Sequence, residues 1–286
     1  MHRPIRQKSS FHFTAKNADK HLLYEASVQS AEANVDFLNR VFYNRRKRDI
    51  FKVREDFCGT ARFCCEWALD DPRNEIWGVD LNASVLKWCR RNHFPIMEDS
   101  AVDRITLLNA NVLEVETPPV DAVLAFNFSY YIFKERQLLA EYFTKVKDAL
   151  VDDGIFFLDA FGGPEGCDET EDIRKIKNST SFSEEELPPF EYIWEQTNYN
   201  QLNHHMKCYI SFAFSDDSVM KRAFRYDWRI WTLPEIKDLL LEVGFKDVHF
   251  YMQGWDDDKD DSDDVFRRRT MYNDLAAWFG YIVAEK

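Results

Sequence analysis

Residues 51–63 read Phe51-Lys52-Val53-Arg54-Glu55-Asp56-Phe57-Cys58-Gly59-Thr60-Ala61-Arg62-Phe63, a strand-like run that breaks at Cys58-Gly59-Thr60 and turns helical through Trp67. Trp77-Gly78-Val79-Asp80 then closes the unit on an acidic residue. A strand, a glycine turn, a helix and a strand ending in a carboxylate make a βαβ unit of nucleotide-binding length. The alternation continues outward. Val85, Leu86 and Cys89 form a helical stripe, 104–109, 121–126 and 154–160 are strand-like, and Leu138, Leu139, Tyr142, Phe143, Val146 and Leu150 share one helix face. Near-continuous apolar strands between helices predict a parallel sheet covered on both sides.

Around this unit the chain divides into three kinds of segment. Over 1–48, Leu22, Leu23, Val28, Val35, Leu38, Val41 and Phe42 suggest a broken amphipathic helix, read as an N-terminal lid. It ends at Arg45-Arg46-Lys47-Arg48, a cluster that complements a helix C-terminus. Residues 49–162 and 232–286 carry the strand and helix alternation. Between them, 163–231 begins at Gly163-Pro164, stays polar to Pro188-Pro189 and becomes aromatic-rich. There Met206, Cys208, Ile210, Phe212 and Phe214 alternate with more polar neighbours, the period of a half-buried strand. Thr232-Leu233-Pro234-Glu235 is a capping box, with Gly244 placed for the helix's C-terminal cap. Strands over 245–251 and 276–283 flank an acidic loop, 256–264.

The net charge of −13 over 286 residues argues against nucleic acid as a partner, since such affinity comes from neutralising phosphates. No apolar run reaches membrane-spanning length, and the basic start leads into Ser and Phe residues instead of a signal-peptide segment. A cytoplasmic location is the expectation. The six cysteines, Cys58, Cys64, Cys65, Cys89, Cys167 and Cys208, include no C-x-x-C pair, and no His stands at zinc-ligand spacing. Reduced, buried thiols and no metal site are therefore expected.

Taken together, these motifs resemble a class I S-adenosylmethionine-dependent methyltransferase. The resemblance implies an α/β fold: a Rossmann-like, seven-stranded, mostly parallel sheet with an antiparallel last strand, plus a small antiparallel β insertion after strand five. In that family the first strand ends in an acidic-x-Gly-x-Gly-x-Gly turn. Here Glu55 takes the acidic position and Gly59 the central glycine, while Phe57 and Ala61 replace the outer two. Asp80 matches the carboxylate that accepts bonds from both ribose hydroxyls, and Asn111 falls where the family often has Asp beside the adenine amino group.

The resemblance thus implies S-adenosylmethionine as cofactor, held by Tyr24, Glu55, Phe57, Cys58, Gly59, Asp80, Leu81, Asn111, Val112 and Asn127. Asn127-Phe128-Ser129-Tyr130 resembles the Asn-Pro-Pro-Tyr turn of amino-group methyltransferases without its prolines, which makes Asn127 and Tyr130 the candidate catalytic residues. Methyl transfer needs no thiol nucleophile, so Cys58 reads as packing. His204-His205 reads as a surface hairpin pair. The acceptor expected is a small molecule, with Tyr192, Trp194, Tyr209, Tyr226 and Trp228 as candidate pocket walls, although for any single one of them the core of a small sheet is the favoured reading. An acidic rim formed by 256–264 and Trp255 favours a cationic acceptor. A protein or peptide acceptor, or a non-catalytic cofactor-binding scaffold, is the competing reading.

Overall fold

The computed structural model describes residues 13–177, 179–256, 261–273 and 276–286; the side chains of 255, 256 and 261–264 also lie outside the description. Two N-terminal helices come first, α1 (Lys20–Val28) and α2 (Ala31–Arg46). Asp19 caps α1 by accepting from the His21 amide, and Lys47 in left-handed backbone ends α2. The main alternation follows as β1 (Lys52–Asp56), α3 (Arg62–Asp70), β2 (Glu75–Asp80), α4 (Ala83–Asn92), α5 (Asp99–Val102), β3 (Ile105–Asn109), β4 (Val120–Ala125), α6 (Arg136–Ala149) and β5 (Leu150–Gly162). The strands β6 (Thr170–Ile176), β7 (Phe190–Asn200), β8 (His205–Ala213) and β9 (Val219–Arg229) come next. The chain closes with α7 (Leu233–Glu242), β10 (Asp247–Asp256), β11 (Asp261–Arg269) and β12 (Trp278–Glu285).

The main sheet has the order β11-β10-β12-β5-β4-β1-β2-β3. Strands β1 to β5 are mutually parallel, and β12 inserts antiparallel between β10 and β5. Leu139, Tyr142, Phe143 and Val146 of α6 are fully buried on one face of the sheet. On the other face α2 and α3 bury Val35, Leu38, Phe63, Cys64 and Trp67. Each such side chain contributes about 1.5–3 kcal/mol on burial, which is why the apolar stripes decide where these helices dock.

The basic cluster ending α2 is spent inside the fold. Arg45 and Arg46 donate to Glu285 at 2.6 Å each, and Arg48 bridges Asp121 and Asp153 at 2.8 Å. Asp121 also accepts the amides of Phe51 and Lys52, fixing where β1 begins. The capping box of α7 forms as expected, with Thr232 and Glu235 bonded reciprocally. Gly244 follows it at φ 97, beyond the range L residues accept readily.

Two strands depart from the expectation. The main sheet has eight strands and not seven, because Asp261–Arg269 pairs antiparallel with β10. Asp256 and 261–264 of the acidic stretch therefore belong to paired strands, and residues 257–260 lie outside the described residues. In the second sheet, ordered β6-β7-β8-β9, the polar Thr170–Ile176 supplies an edge strand beside the aromatic runs. Both segments are charged edge strands with no partner strand on one side among the described residues, and solvated charge there hides the pattern that marks an interior strand.

Candidate functional site

The turn after β1 is built from alternating left-handed backbone: Phe57, Gly59 and Ala61 have φ of 59°, 55° and 54°. A left-handed conformation costs an L residue about 1–2 kcal/mol, so the turn is held by its neighbours. The Cys58 amide donates to the Val79 carbonyl at 3.0 Å, and the Gly59 amide to Asp80 Oδ2 at 2.9 Å. The Phe57 ring packs against Phe133 and Tyr142, with centroids 6.0 and 5.7 Å away. It is thus turned into the core beneath α6. Burial pushes the Cys58 thiol up to about 11, which suits a packing role. Burial also pushes the Glu55 carboxyl up to about 8, and the Cys64 thiol donates to its Oε2 at 2.9 Å.

Asp80 receives the Asn82 amide on its other oxygen at 2.7 Å. Asn109 Nδ2 donates to the carbonyls of Asp80 and Leu81 and so fixes the strand end. A carboxylate offers about four lone-pair positions, so two remain for a diol. Leu81 is 75% exposed and Val112 is buried. Asn111 Oδ1 accepts the Leu113 amide at 3.1 Å, which leaves one lone pair on that oxygen. Two observations bear on whether a ligand fits at the turn. A Cβ placed on Gly59 would meet nothing within 4 Å. The buried Thr60 hydroxyl next to it has no hydrogen-bond partner among the described residues.

Beside the turn lies a cleft of about 760 Å³ between α1, the end of the main sheet and the inner face of the second sheet. Its base is Asn127, Phe128, Asp159 and Phe161, and one wall is Tyr192, Trp194, Tyr226 and Trp228. The two-residue period of β7 and β9 puts these rings on one face. The opposite wall holds Phe266, Phe279 and Tyr281. Trp228 is almost fully buried, and its indole Nε1 has no partner among the described residues. Tyr209 does not line the cleft; it stacks under the Arg222 guanidinium at 3.9 Å.

Asp159, which sequence reading missed, organises the cleft base. Its oxygens accept the amides of Asn127 and Phe128 at 2.7 and 2.8 Å, and both residues have φ 58. Two successive left-handed residues without glycine persist because this one carboxylate holds both amides. Burial pushes Asp159 up to about 7, against those two bonds. The available signal was a lone carboxylate within the otherwise apolar run Ile155–Ala160.

The candidate residues separate clearly. Along the carboxyl ends of the parallel strands stand, in sheet order, Asp159 of β5, Asn127 after β4, the Gly59 turn after β1, Asp80 of β2 and Asn111 after β3. Ligands of open α/β sheets bind along this edge, where the strand order reverses. Tyr24 lines the cleft, with its ring 4.8 Å from Phe224. Tyr130 needs correction as a catalytic candidate. The 3₁₀ turn 129–132 winds it fully into the core, where its hydroxyl donates to the Asp159 carbonyl at 2.8 Å. A second cavity, about 710 Å³ and bordered by Glu25, Arg62, Glu66 and Phe182, contains none of the expected site residues.

No protein-family model and no curated protein matches this chain. Among solved structures it is similar to SAM-bound CalS10, an amino pentose methyltransferase of Micromonospora echinaspora involved in calicheamicin biosynthesis. That likeness has a TM-score of 0.66 and 13% identity over 98% of this chain and 99% of the other. The CcbJ methyltransferase of Streptomyces caelestis is similar at TM-score 0.64 and 13% identity, covering 93% and 96%. The sugar N-methyltransferase KedS8 of Streptoalloteichus sp. ATCC 53650 is similar at TM-score 0.62 and 13% identity, covering 100% and 99%. The fold is the class I, Rossmann-like fold of S-adenosylmethionine-dependent methyltransferases.

Proposed function

We propose that this protein is an S-adenosylmethionine-dependent methyltransferase whose acceptor is a small molecule held in the aromatic cleft. One observation carries the reading: the cleft base and the nucleotide-type turn share one sheet edge, with Asn127 at their border. The donor residues fit the cofactor. Gly59 leaves open space and Asp80 keeps two lone pairs for the ribose hydroxyls. Asn111 retains acceptor capacity for an amino group. When bound, the cofactor supplies an electrophilic methyl on a sulfonium, and transfer is an in-line displacement.

The chain's own residues do three things in this reading. The Asn127-Phe128 turn, clamped by Asp159, separates donor and acceptor sides and fixes their approach. Such positioning supplies effective molarity worth up to roughly 7–11 kcal/mol in favourable systems. Trp194, Tyr226 and Trp228 exclude water and face any positive charge on the acceptor with their rings. Asp159, pushed up to about 7, takes a proton at its carboxylate from a protonated amine at neutral pH. An amino pentose and a sugar nitrogen, the acceptors in the names of two structural neighbours, are of the size this cleft holds.

Calorimetry with S-adenosylmethionine and S-adenosylhomocysteine tests the donor half, and Asp80→Ala is expected to abolish that binding. Incubation with a labelled methyl donor and a metabolite extract, followed by mass spectrometry, tests the acceptor half. Label appearing only in protein would replace the small-molecule reading with a protein acceptor.

A further inference from the structure

Away from the methyl-transfer site, three soft donors converge inside the molecule. Cys65 of α3, Cys89 of α4 and His93 at the end of α4 place their ligand atoms within 4.8 Å of one another. The spacing Cys89-x-x-x-His93 puts two of them one helical turn apart, and the His93 amide donates to the Cys89 carbonyl at 2.8 Å. The third donor, Cys65, comes from a different helix and joins this pair only in the fold. Cys65 and Cys89 are fully buried and His93 is 2% exposed. The His93 Nδ1 faces Cys65 Sγ at 3.8 Å, while Nε2 faces Glu25 of α1 at 3.2 Å.

We propose that Cys65, Cys89 and His93 bind a zinc ion, with Glu25 as the outer carboxylate that orients the His93 ring. Two thiolates and one imidazole nitrogen are donors that zinc prefers, and a three-ligand set leaves a fourth tetrahedral position for solvent. Zinc bound by two thiolates is electrically neutral, which lowers the cost of keeping it in a buried site. A histidine that binds zinc through one nitrogen and gives the other N–H to a carboxylate is a recurrent outer-ligand arrangement, and Nδ1 and Nε2 of His93 are divided in this way.

The other cluster of ligand-type residues makes the contrast. Asp247, His249 and Glu285 also gather, but Arg45 lies 2.8 Å from His249 Nε2 and donates to Glu285, so a guanidinium already occupies the cation's place. At Cys65, Cys89 and His93 no Lys or Arg hydrogen-bonds the donor atoms among the described residues. Glu25, which faces His93 Nε2, also borders the 710 Å³ cavity. Because Glu25 lies next to Tyr24 of the cleft wall, the ion also ties α1 to the domain on which it rests.

Reduced, chelator-treated full-length protein titrated with cobalt(II) tests the site. The expected result is one ion per chain with a thiolate-to-cobalt charge-transfer band, displaced by zinc. Cys65→Ser and Cys89→Ser each lose the band, whereas Glu25→Gln keeps it with affinity reduced roughly 10- to 100-fold. X-ray absorption at the zinc edge of the wild-type protein is expected to report two sulfur ligands and one imidazole, independently of whether the variants fold. A wild-type protein that binds no cobalt or zinc, or a zinc spectrum without sulfur, overturns the proposal.

Discussion

Gly59→Ala is the sharpest test of the turn, because the uncomplexed chain predicts a small effect on stability and a large one on ligand binding. The new Cβ meets nothing within 4 Å, so the packing cost is nil. What remains is the left-handed φ of 55°, worth about 1 kcal/mol for an L residue. For a chain of this size that lowers the melting temperature by about 2–4 °C. If the open space over Gly59 is where the cofactor lies against the turn, the same methyl group raises the S-adenosylmethionine dissociation constant at least about tenfold, or about 1.4 kcal/mol. Gly78→Ala is the control. There a Cβ would stand 2.8 Å from Cys64 Sγ, 2.9 Å from Leu107 Cδ2 of β3 and 3.1 Å from Cys58 Sγ, on the buried side of the turn. Overpacking of that kind costs about 1–3 kcal/mol without touching the turn's open side. Differential scanning fluorimetry and calorimetry on one preparation read both quantities. Cofactor affinity unchanged in Gly59→Ala while stability falls as calculated would refute the placement of the cofactor at this turn.

Three further outcomes follow from the buried groups. Asp159→Asn leaves one of the two amides at Asn127 and Phe128 without an acceptor, costing about 1–3 kcal/mol. It is expected to lower kcat/KM at least tenfold and to remove the limb that rises with pH through about 7 in the wild type; a pH–rate profile of the variant retaining that limb excludes Asp159 as the proton acceptor. Glu55 stands at about 8 in the fold against an ordinary 4.5, so between those values the folded state holds the proton that the unfolded state has released. Stability therefore falls as pH rises across that window, by up to about 1.4 kcal/mol per pH unit, and Glu55→Gln is expected to flatten the slope in urea titrations at graded pH. Phe57→Gly relieves the left-handed φ but loses the ring packed on Phe133 and Tyr142, for a net destabilisation of about 1–3 kcal/mol. Cofactor affinity of the folded variant, measured by calorimetry, is expected to stay within a few-fold of the wild type; a larger loss would show that the Phe57 ring helps form the cofactor's seat.

The sequence by itself determined the parts of this protein that depend on local pattern. Gly59 and Asp80 were legible because a strand–turn–helix–strand unit announces itself in hydrophobic period, and the α7 capping box because its residues are near neighbours. The five aromatics of the insertion were legible as wall or core candidates and no further; four of them line the cleft, whereas Tyr209 lies on the other face of its strand, against Arg222. Tertiary structure alone decided the rest. The charged edge strands β6 and β11 are strands only because a neighbour pairs with them. Asp159 matters because β4 lies beside β5 and brings two amides to its carboxylate, and Tyr130 is lost to the core because its hydroxyl finds the Asp159 carbonyl of β5. Cys65, Cys89, His93 and Glu25 meet because three helices converge. In each case the deciding interaction joins residues distant in sequence, whose mutual distance no local period encodes.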